Sequence, residues 1–260
     1  MNQKYIDKII LGECEKELGN IEDKSIDCIL TDLPYGTTAL NWDKCIDMNI
    51  LWEQYERVIK DDGVIALFAA QPFTAMLITS NLNLYRYSWI WEKESPTGFL
   101  NASYAPLKKT EDICIFSKGK VGSLSKNPIR YYPQGVIEIN QTKRNNPNSN
   151  WRKNKGYNSM NNKLNSDLPY VQKYTNYPIN ILKFARDKNA IHPTQKPVKL
   201  LEYLIRTYTK EGEVVLDSCS GSGSTAIACL NTNRKYICIE KDEEIWKKSI
   251  ERVKEKREWN

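Results

Sequence analysis

Residues Thr31-Asp32-Leu33-Pro34-Tyr35-Gly36 gather a carboxylate, a stiffened backbone and an aromatic face within a few positions. Pro34 fixes its own φ and pushes Leu33 toward an extended conformation. The Asp32 carboxylate and the Leu33 carbonyl are then two acceptors able to converge on one donor. Tyr35 offers a flat surface beside them. A primary amine on an aromatic ring suits this set, with its hydrogens on the acceptors and its ring on Tyr35. Alone, the tetrapeptide also fits a strand-to-turn junction with Asp32 as a cap.

A second chemical element lies near the C-terminus. Val214-Val215-Leu216-Asp217 reads as a short strand, Ser218-Cys219-Ser220-Gly221-Ser222-Gly223 as a glycine loop, and Ser224-Thr225 onward as a helix. Glycines let backbone approach a ligand closely, and a helix N-terminus favours an anionic group. Glu240 ends the following strand, where an acid in a doubly wound fold hydrogen-bonds ribose hydroxyls. Position 226 is Ala, so the full GxGxxG pattern is absent, and no GKS or GKT is present to make a P-loop. A nucleoside lacking a pyrophosphate fits better than a dinucleotide, which weighs against a dehydrogenase. The plainer alternative is a tight turn that needs flexible residues.

These two loops need a scaffold, and the chain supplies one. Strand-like runs occur at Lys8–Leu11, Ile26–Thr31, Val64–Ala69, Leu84–Trp91, Asp112–Phe116, Glu213–Leu216 and Tyr236–Ile239. Helical spacing marks Met48–Ile59, Pro72–Ser80, Pro197–Thr209, Ser224–Leu230 and Asp242–Lys256, with Asp61-Asp62-Gly63 as a break before Val64. The alternation predicts an α/β, Rossmann-like fold, a mostly parallel twisted sheet with helices on both faces. Residues 118 to about 186 lack this rhythm and read as an insertion.

Charge marks out the same segment. The 260 residues are 40% hydrophobic and 27% charged, enough for a sizeable core, and carry a net charge of +6. From 118 to 186 there are 13 Lys plus Arg against Glu138 and Asp167 alone, so the rest of the chain is slightly acidic. A basic stretch rich in Asn and Tyr is the footprint of polyanion binding. A solvated loop whose charges serve solubility is the alternative. Seven cysteines without a CxxC pair and the single His192 leave no metal-ligand spacing, so no metal is expected. No apolar run approaches a membrane span, the longest being Val64–Ala70, and the N-terminus lacks signal-peptide anatomy. An intracellular, cytoplasmic protein is expected.

Taken together, the motifs resemble the DNA amino-methyltransferases, which methylate adenine N6 or cytosine N4. Their Asp/Ser-Pro-Pro-aromatic signature is matched by Asp32, Leu33, Pro34 and Tyr35, with Leu33 in place of the first proline. Their S-adenosylmethionine loop is matched by Asp217, Gly221, Gly223, Ser224 and Thr225, with Ser218 and Cys219 where Pro and Phe are common. His192-Pro193-Thr194-Gln195-Lys196-Pro197 is similar to the family segment preceding that loop. The order, catalytic loop first and cofactor loop last, resembles the β group.

The resemblance implies a class I methyltransferase fold formed by 1–117 and 187–260, with 118–186 as an inserted target-recognition region. It implies S-adenosyl-L-methionine as cofactor, bordered by Asp217, Ser218, Cys219, Gly221, Gly223, Ser224, Thr225 and Glu240, with Thr194 and Lys196 lining the same pocket. Asp32 and the Leu33 carbonyl would hold the amine, Pro34 would stiffen the loop, and Tyr35 would stack on a base flipped out of double-stranded DNA. An aspartate at 32 leans toward adenine N6 over cytosine N4. Arg130, Lys143, Arg144, Arg152 and Lys153 are the candidate phosphate or base contacts. Homodimerisation is known in the β group, and any restriction endonuclease partner would be a separate chain in a prokaryotic or phage setting. RNA or a small aminated compound as substrate remains open, as does a non-catalytic nucleic-acid-binding protein. Intact Asp32, Pro34, Tyr35, Gly221, Gly223 and Glu240 count against the last.

Overall fold

Alternation along one strand organises the whole protein. In Ile26–Asp32, Cys28 and Leu30 join one buried cluster, while Ile29 between them joins another. Both faces of the strand are therefore covered, as side chains of period two on a central strand require. The computed structural model describes residues 4–35, 46–122, 124–143, 170–188, 191 and 195–258.

Among the described residues the elements follow in chain order. They are β1 (Lys8–Leu11), α1 (Cys14–Glu17), β2 (Ile26–Asp32), α2 (Met48–Val58), β3 (Ile59–Ala69), α3 (Phe73–Ser80), β4 (Tyr85–Thr97) and β5 (Lys108–Phe116). Then come β6 (Ile137–Lys143), β7 (Tyr170–Thr175), β8 (Ile181–Lys183), α4 (Val198–Tyr208), β9 (Val214–Asp217), α5 (Ser224–Asn231), β10 (Lys235–Glu240) and α6 (Glu243–Glu258). Eight strands form one sheet in the order β1-β10-β9-β2-β3-β5-β4-β8. Every neighbouring pair is parallel except those of β5, which runs against both β3 and β4.

Helices cover both faces. Leu200, Leu204, Ala226 and Val253 of α4, α5 and α6 pack with Leu30, Ala66 and Val215 on one side. Leu51, Tyr55, Phe73 and Leu77 of α2 and α3 pack with Ile29, Leu67 and Leu216 on the other. The apolar spacing of each helix is what permits this one-sided burial. Asp47 accepts from Asn49 N at 2.8 Å and starts α2; Asp242 accepts from Glu244 N and Ile245 N at 2.9 and 3.0 Å and starts α6.

Two differences from the sequence reading stand out. First, Asp61-Asp62-Gly63 does not break the chain ahead of a strand but lies inside β3, where a register shift against β2 between Ile26 and Cys28 absorbs it. Gly63 is required there, because a Cβ would meet the Ile59 side chain at 2.8 Å and the Asp27 carbonyl at 3.0 Å. Second, the separate compact unit spans Pro133–Pro178, narrower than the expected 118–186. Residues on either side of it belong to the main unit: Tyr132 N donates to Thr207 O at 2.7 Å, and β8 pairs with β4. The smaller unit contains the antiparallel pair β6–β7, exposed along most of its length.

Candidate active site

From β9 the sheet continues through β10 in one direction, and from β2 through β3 in the other. Such a switch point leaves a crevice at the carboxyl ends of the two strands, where open α/β sheets bind ligands. Asp32 is the last residue of β2 and Asp217 the last of β9. A cavity of about 480 Å³ opens there, lined by Asp32–Tyr35, Asp217–Ser222 and Glu240 among others. The two loops singled out in the sequence thus share one pocket.

Asp217 is the structural centre of the glycine loop. Its Oδ1 accepts from Thr31 Oγ1 at 3.0 Å and Cys219 N at 3.1 Å, and its Oδ2 from Thr225 Oγ1 at 2.5 Å. Burial pushes its carboxyl up to about 6, against the donors that favour the charge. Ser218 turns its hydroxyl to Tyr55 Oη at 2.5 Å, and Cys219 lines the pocket. Ser224 and Ser222 are tied to α6, where Arg252 Nη1 lies 3.0 Å from Ser224 Oγ and 2.9 Å from Ser222 O.

The glycines serve two different needs. Gly221 and Gly223 have φ of 48° and 73°, the left-handed region glycine favours. A Cβ on Gly223 would crowd Ser249 and Ile9 at 3.2 and 3.3 Å, whereas one on Gly221 would meet nothing within 4 Å. Gly221 therefore faces open space beside the pocket. Its N–H donates to Glu240 Oε2 at 2.7 Å, and Asp242 N donates to Oε1 at 2.9 Å. Each carboxylate oxygen keeps a lone pair for a further donor. Ser220 Oγ, also on the pocket wall, is buried without a hydrogen-bond partner among the described residues.

The Asp32 loop is anchored from two sides. The Leu33 side chain is buried in the α2–α3 layer, holding the loop by packing where a second proline would stiffen it. Tyr35 stacks on Phe73 with centroids 5.0 Å apart and planes at 24°, and its hydroxyl donates to Asp32 Oδ1 at 2.8 Å. Burial, then the negative charges of Asp32 and Glu111, keep that phenol well above its ordinary value, so it remains a donor. Lys196 Nζ donates to Asp32 Oδ2 at 2.6 Å and lies 3.3 Å from Glu111 Oε2. Lys196 lines the cavity, as expected, and its ammonium is paired with the Asp32 carboxylate.

Arg130 is also corrected. Its guanidinium reaches Asp62 at 2.6 Å, Asp27 at 2.7 Å and Glu213 at 3.0 Å. Asp27 is the second residue of β2 and Glu213 precedes β9, so this cluster lies about 16 Å along the strand from Asp32, at the amino-terminal ends of the strands. Arg130 is bound inside the main unit rather than presented to a phosphate. Lys143 is exposed at the end of β6. Arg144, Arg152, Lys153 and Thr194 lie outside the described residues. Thr31, Tyr55, Lys93 and Glu111 escaped the sequence reading. Only Thr31 carried a signal, its place immediately before Asp32.

Fold and site together define a class I methyltransferase. The chain belongs to the DNA methylase family of N6/N4 methyltransferases, which matches residues 26–251. It is 30% identical over 263 residues to the type II methyltransferase M.HpaI of Haemophilus parainfluenzae, covering 96% of this chain and 73% of that protein. It is 25% identical over 272 residues to M2.MboI of Moraxella bovis, covering 95% and 87%. Two solved structures share the fold. M1.HpyAVI in complex with SAM has a TM-score of 0.59 at 20% identity and covers 94% of this chain and 98% of that one. The cytosine-N4-specific PvuII DNA methyltransferase has a TM-score of 0.64 at 14% identity and covers 96% and 91%. Among the described residues no helix is long and apolar enough to cross a membrane, and no cluster of metal-binding side chains occurs.

Proposed function

We propose that this protein transfers a methyl group to the N6 amine of adenine in DNA, on a base flipped into the pocket beside Asp32. The observation that carries the proposal is the meeting of the Asp32 and Asp217 loops in one cavity at the switch point. S-adenosyl-L-methionine is the cofactor, and it supplies a methyl group activated on a sulfonium. The residues present fit it: Gly221 leaves space, Ser220 Oγ awaits a partner, and Glu240 retains acceptor capacity for ribose hydroxyls. Asp217 orders the loop, and Ser218, Cys219, Gly223, Ser224 and Thr225 complete its surroundings.

The chain's own work is to hold and electrostatically prepare the amine. Free lone pairs on Asp32 and the Leu33 carbonyl accept the two amine hydrogens, which raises electron density on the nitrogen. Tyr35, backed by Phe73 on one ring face, offers the other to the base. Positioning and acceptor electrostatics supply the rate enhancement. An aspartate at position 32 supports adenine over cytosine by the resemblance set out above. Lys143, Arg144, Arg152 and Lys153 in the basic stretch supply phosphate contacts.

The test is incubation of unmodified DNA with labelled cofactor, followed by nucleoside analysis. N6-methyladenine supports the proposal. N4-methylcytosine overturns the base assignment, and label appearing only in RNA overturns the substrate.

A further inference from the structure

Behind Asp32 stands a row of buried charges that the transfer chemistry described above does not use. Lys196 Nζ contacts Asp32 Oδ2 at 2.6 Å and Glu111 Oε2 at 3.3 Å, and Lys93 Nζ donates to Glu111 Oε1 at 3.1 Å. The sequence of charges is minus, plus, minus, plus, drawn from β2, the segment before α4, β5 and β4. The Lys93, Lys196 and Glu111 side chains are only 6%, 10% and 16% exposed. Burying an ion costs several kcal/mol even after relaxation, and an apolar replacement is often neutral or better for stability. A fold alone does not require this row.

Its geometry is uneven in a telling way. The bond from Lys196 to Asp32 is short, while Glu111 Oε2 is buried and accepts no well-aligned hydrogen bond. Lys196 also sits 5.1 Å from the centre of the Phe68 ring. Burial opposes its charge, but Asp32 and Glu111 outweigh that and hold its pKa above the ordinary lysine value. Lys196 is thus a fixed cation between two carboxylates, one shared with the reacting amine and one held in reserve by Lys93.

We propose that Lys196 is a positioning residue for methyl transfer, keeping Asp32 an aimed, anionic acceptor, and that Glu111, backed by Lys93, sets how tightly Lys196 grips it. This rests on the reading of Asp32 as the amine acceptor. The groups facing Asp32 are Tyr35 from its own loop, Lys196, Glu111 with Lys93 behind it, and Asp217 from β9. Removing the cation leaves Asp32 beside two anions and without the bond that aims Oδ2. Removing Glu111 instead withdraws a neighbouring anion and leaves Lys196 wholly on Asp32. The two substitutions push Asp32 in opposite directions.

The experiment is the pH profile of kcat for DNA methylation by the wild type, Lys196→Met, Lys196→Arg and Glu111→Gln, with cofactor Kd measured in parallel. For Lys196→Met we expect kcat at pH 7 to fall on the order of 100-fold, the scale of losing one preorganised electrostatic partner. Its acid limb should move to higher pH, and its cofactor Kd should stay within about threefold of wild type, a change of about 0.65 kcal/mol or less. Lys196→Arg should restore part of the rate. Glu111→Gln should lower kcat while its acid limb moves to lower pH. Parallel shifts in both variants, or unchanged profiles in an active protein, overturn the proposal. A rate loss in Lys196→Met matched by loss of cofactor binding reduces Lys196 to a structural residue and also overturns it. A wild type that binds cofactor but methylates no DNA overturns the function proposal first, and this one with it.

Discussion

Thr31 and Asp217 stand on neighbouring strands, and one hydroxyl joins them. Thr31 Oγ1 donates to Asp217 Oδ1 at 3.0 Å and accepts from Ser218 N at 2.9 Å. The residue before Asp32 therefore also orders the glycine loop that follows β9. This link crosses the switch point of the sheet, so the spacing of the two halves of the site is set by a buried hydrogen bond.

Replacing Thr31 with Val keeps the shape but removes both bonds. The Ser218 N–H and one Asp217 oxygen then lose a partner in a buried setting. The expected cost is about 1–3 kcal/mol, measured by urea unfolding. Calorimetry should show weaker cofactor binding as well, because the loop loses a constraint. A variant of unchanged stability and affinity would show the link to be incidental.

Asp217 gives a pH signature. Its carboxyl ordinarily titrates at 3.8, and in the folded protein at about 6. The native state thus holds its proton to higher pH than the unfolded chain does. This contribution to stability is present below about pH 4 and is lost as pH rises through about 6. Stability of the wild type minus that of Asp217→Asn should therefore fall across that window by about 3 kcal/mol and be flat above it. Taking the difference cancels the other carboxylates. A flat difference throughout would contradict the burial argument.

Arg130 separates structure from recognition. Arg130→Met removes a partner from Asp27, which is 1% exposed and retains Lys60 at 2.6 Å. Breaking a buried pair costs about 3–5 kcal/mol when the remaining charge is uncompensated, so with Lys60 still on Asp27 the expected loss is below about 3 kcal/mol. Thermal melting should drop accordingly, while the Kd for DNA at a temperature where the variant is folded should be unchanged. A stable variant with weakened DNA binding would return Arg130 to the interface.

The fold was largely legible because its strands are short apolar runs ended by turn residues. Ile26–Asp32 and Val214–Asp217 also carry their chemistry at the last position, where sequence reading can see it. What it could not see were pairings between distant residues. Lys196 and Asp32 are 164 positions apart, and nothing local says that the lysine is spent on the carboxylate. Arg130 was misread for the same reason: in a basic stretch it reads as solvent-facing, while its partners Asp27, Asp62 and Glu213 belong to other elements. The strand Ile181–Lys183 is three residues long and carries no periodicity to detect, so the inserted region appeared wider than the compact unit.

The central claim is that one pocket joins an amine-accepting carboxylate to a cofactor loop. The most direct measurement is methyl transfer to DNA by wild type and Asp32→Ala, with cofactor affinity determined for each. The account predicts that Asp32→Ala binds S-adenosylmethionine within a few-fold of wild type yet transfers methyl groups at least about 100-fold more slowly. Methylation that survives in Asp32→Ala, with the cofactor bound equally well, would contradict it.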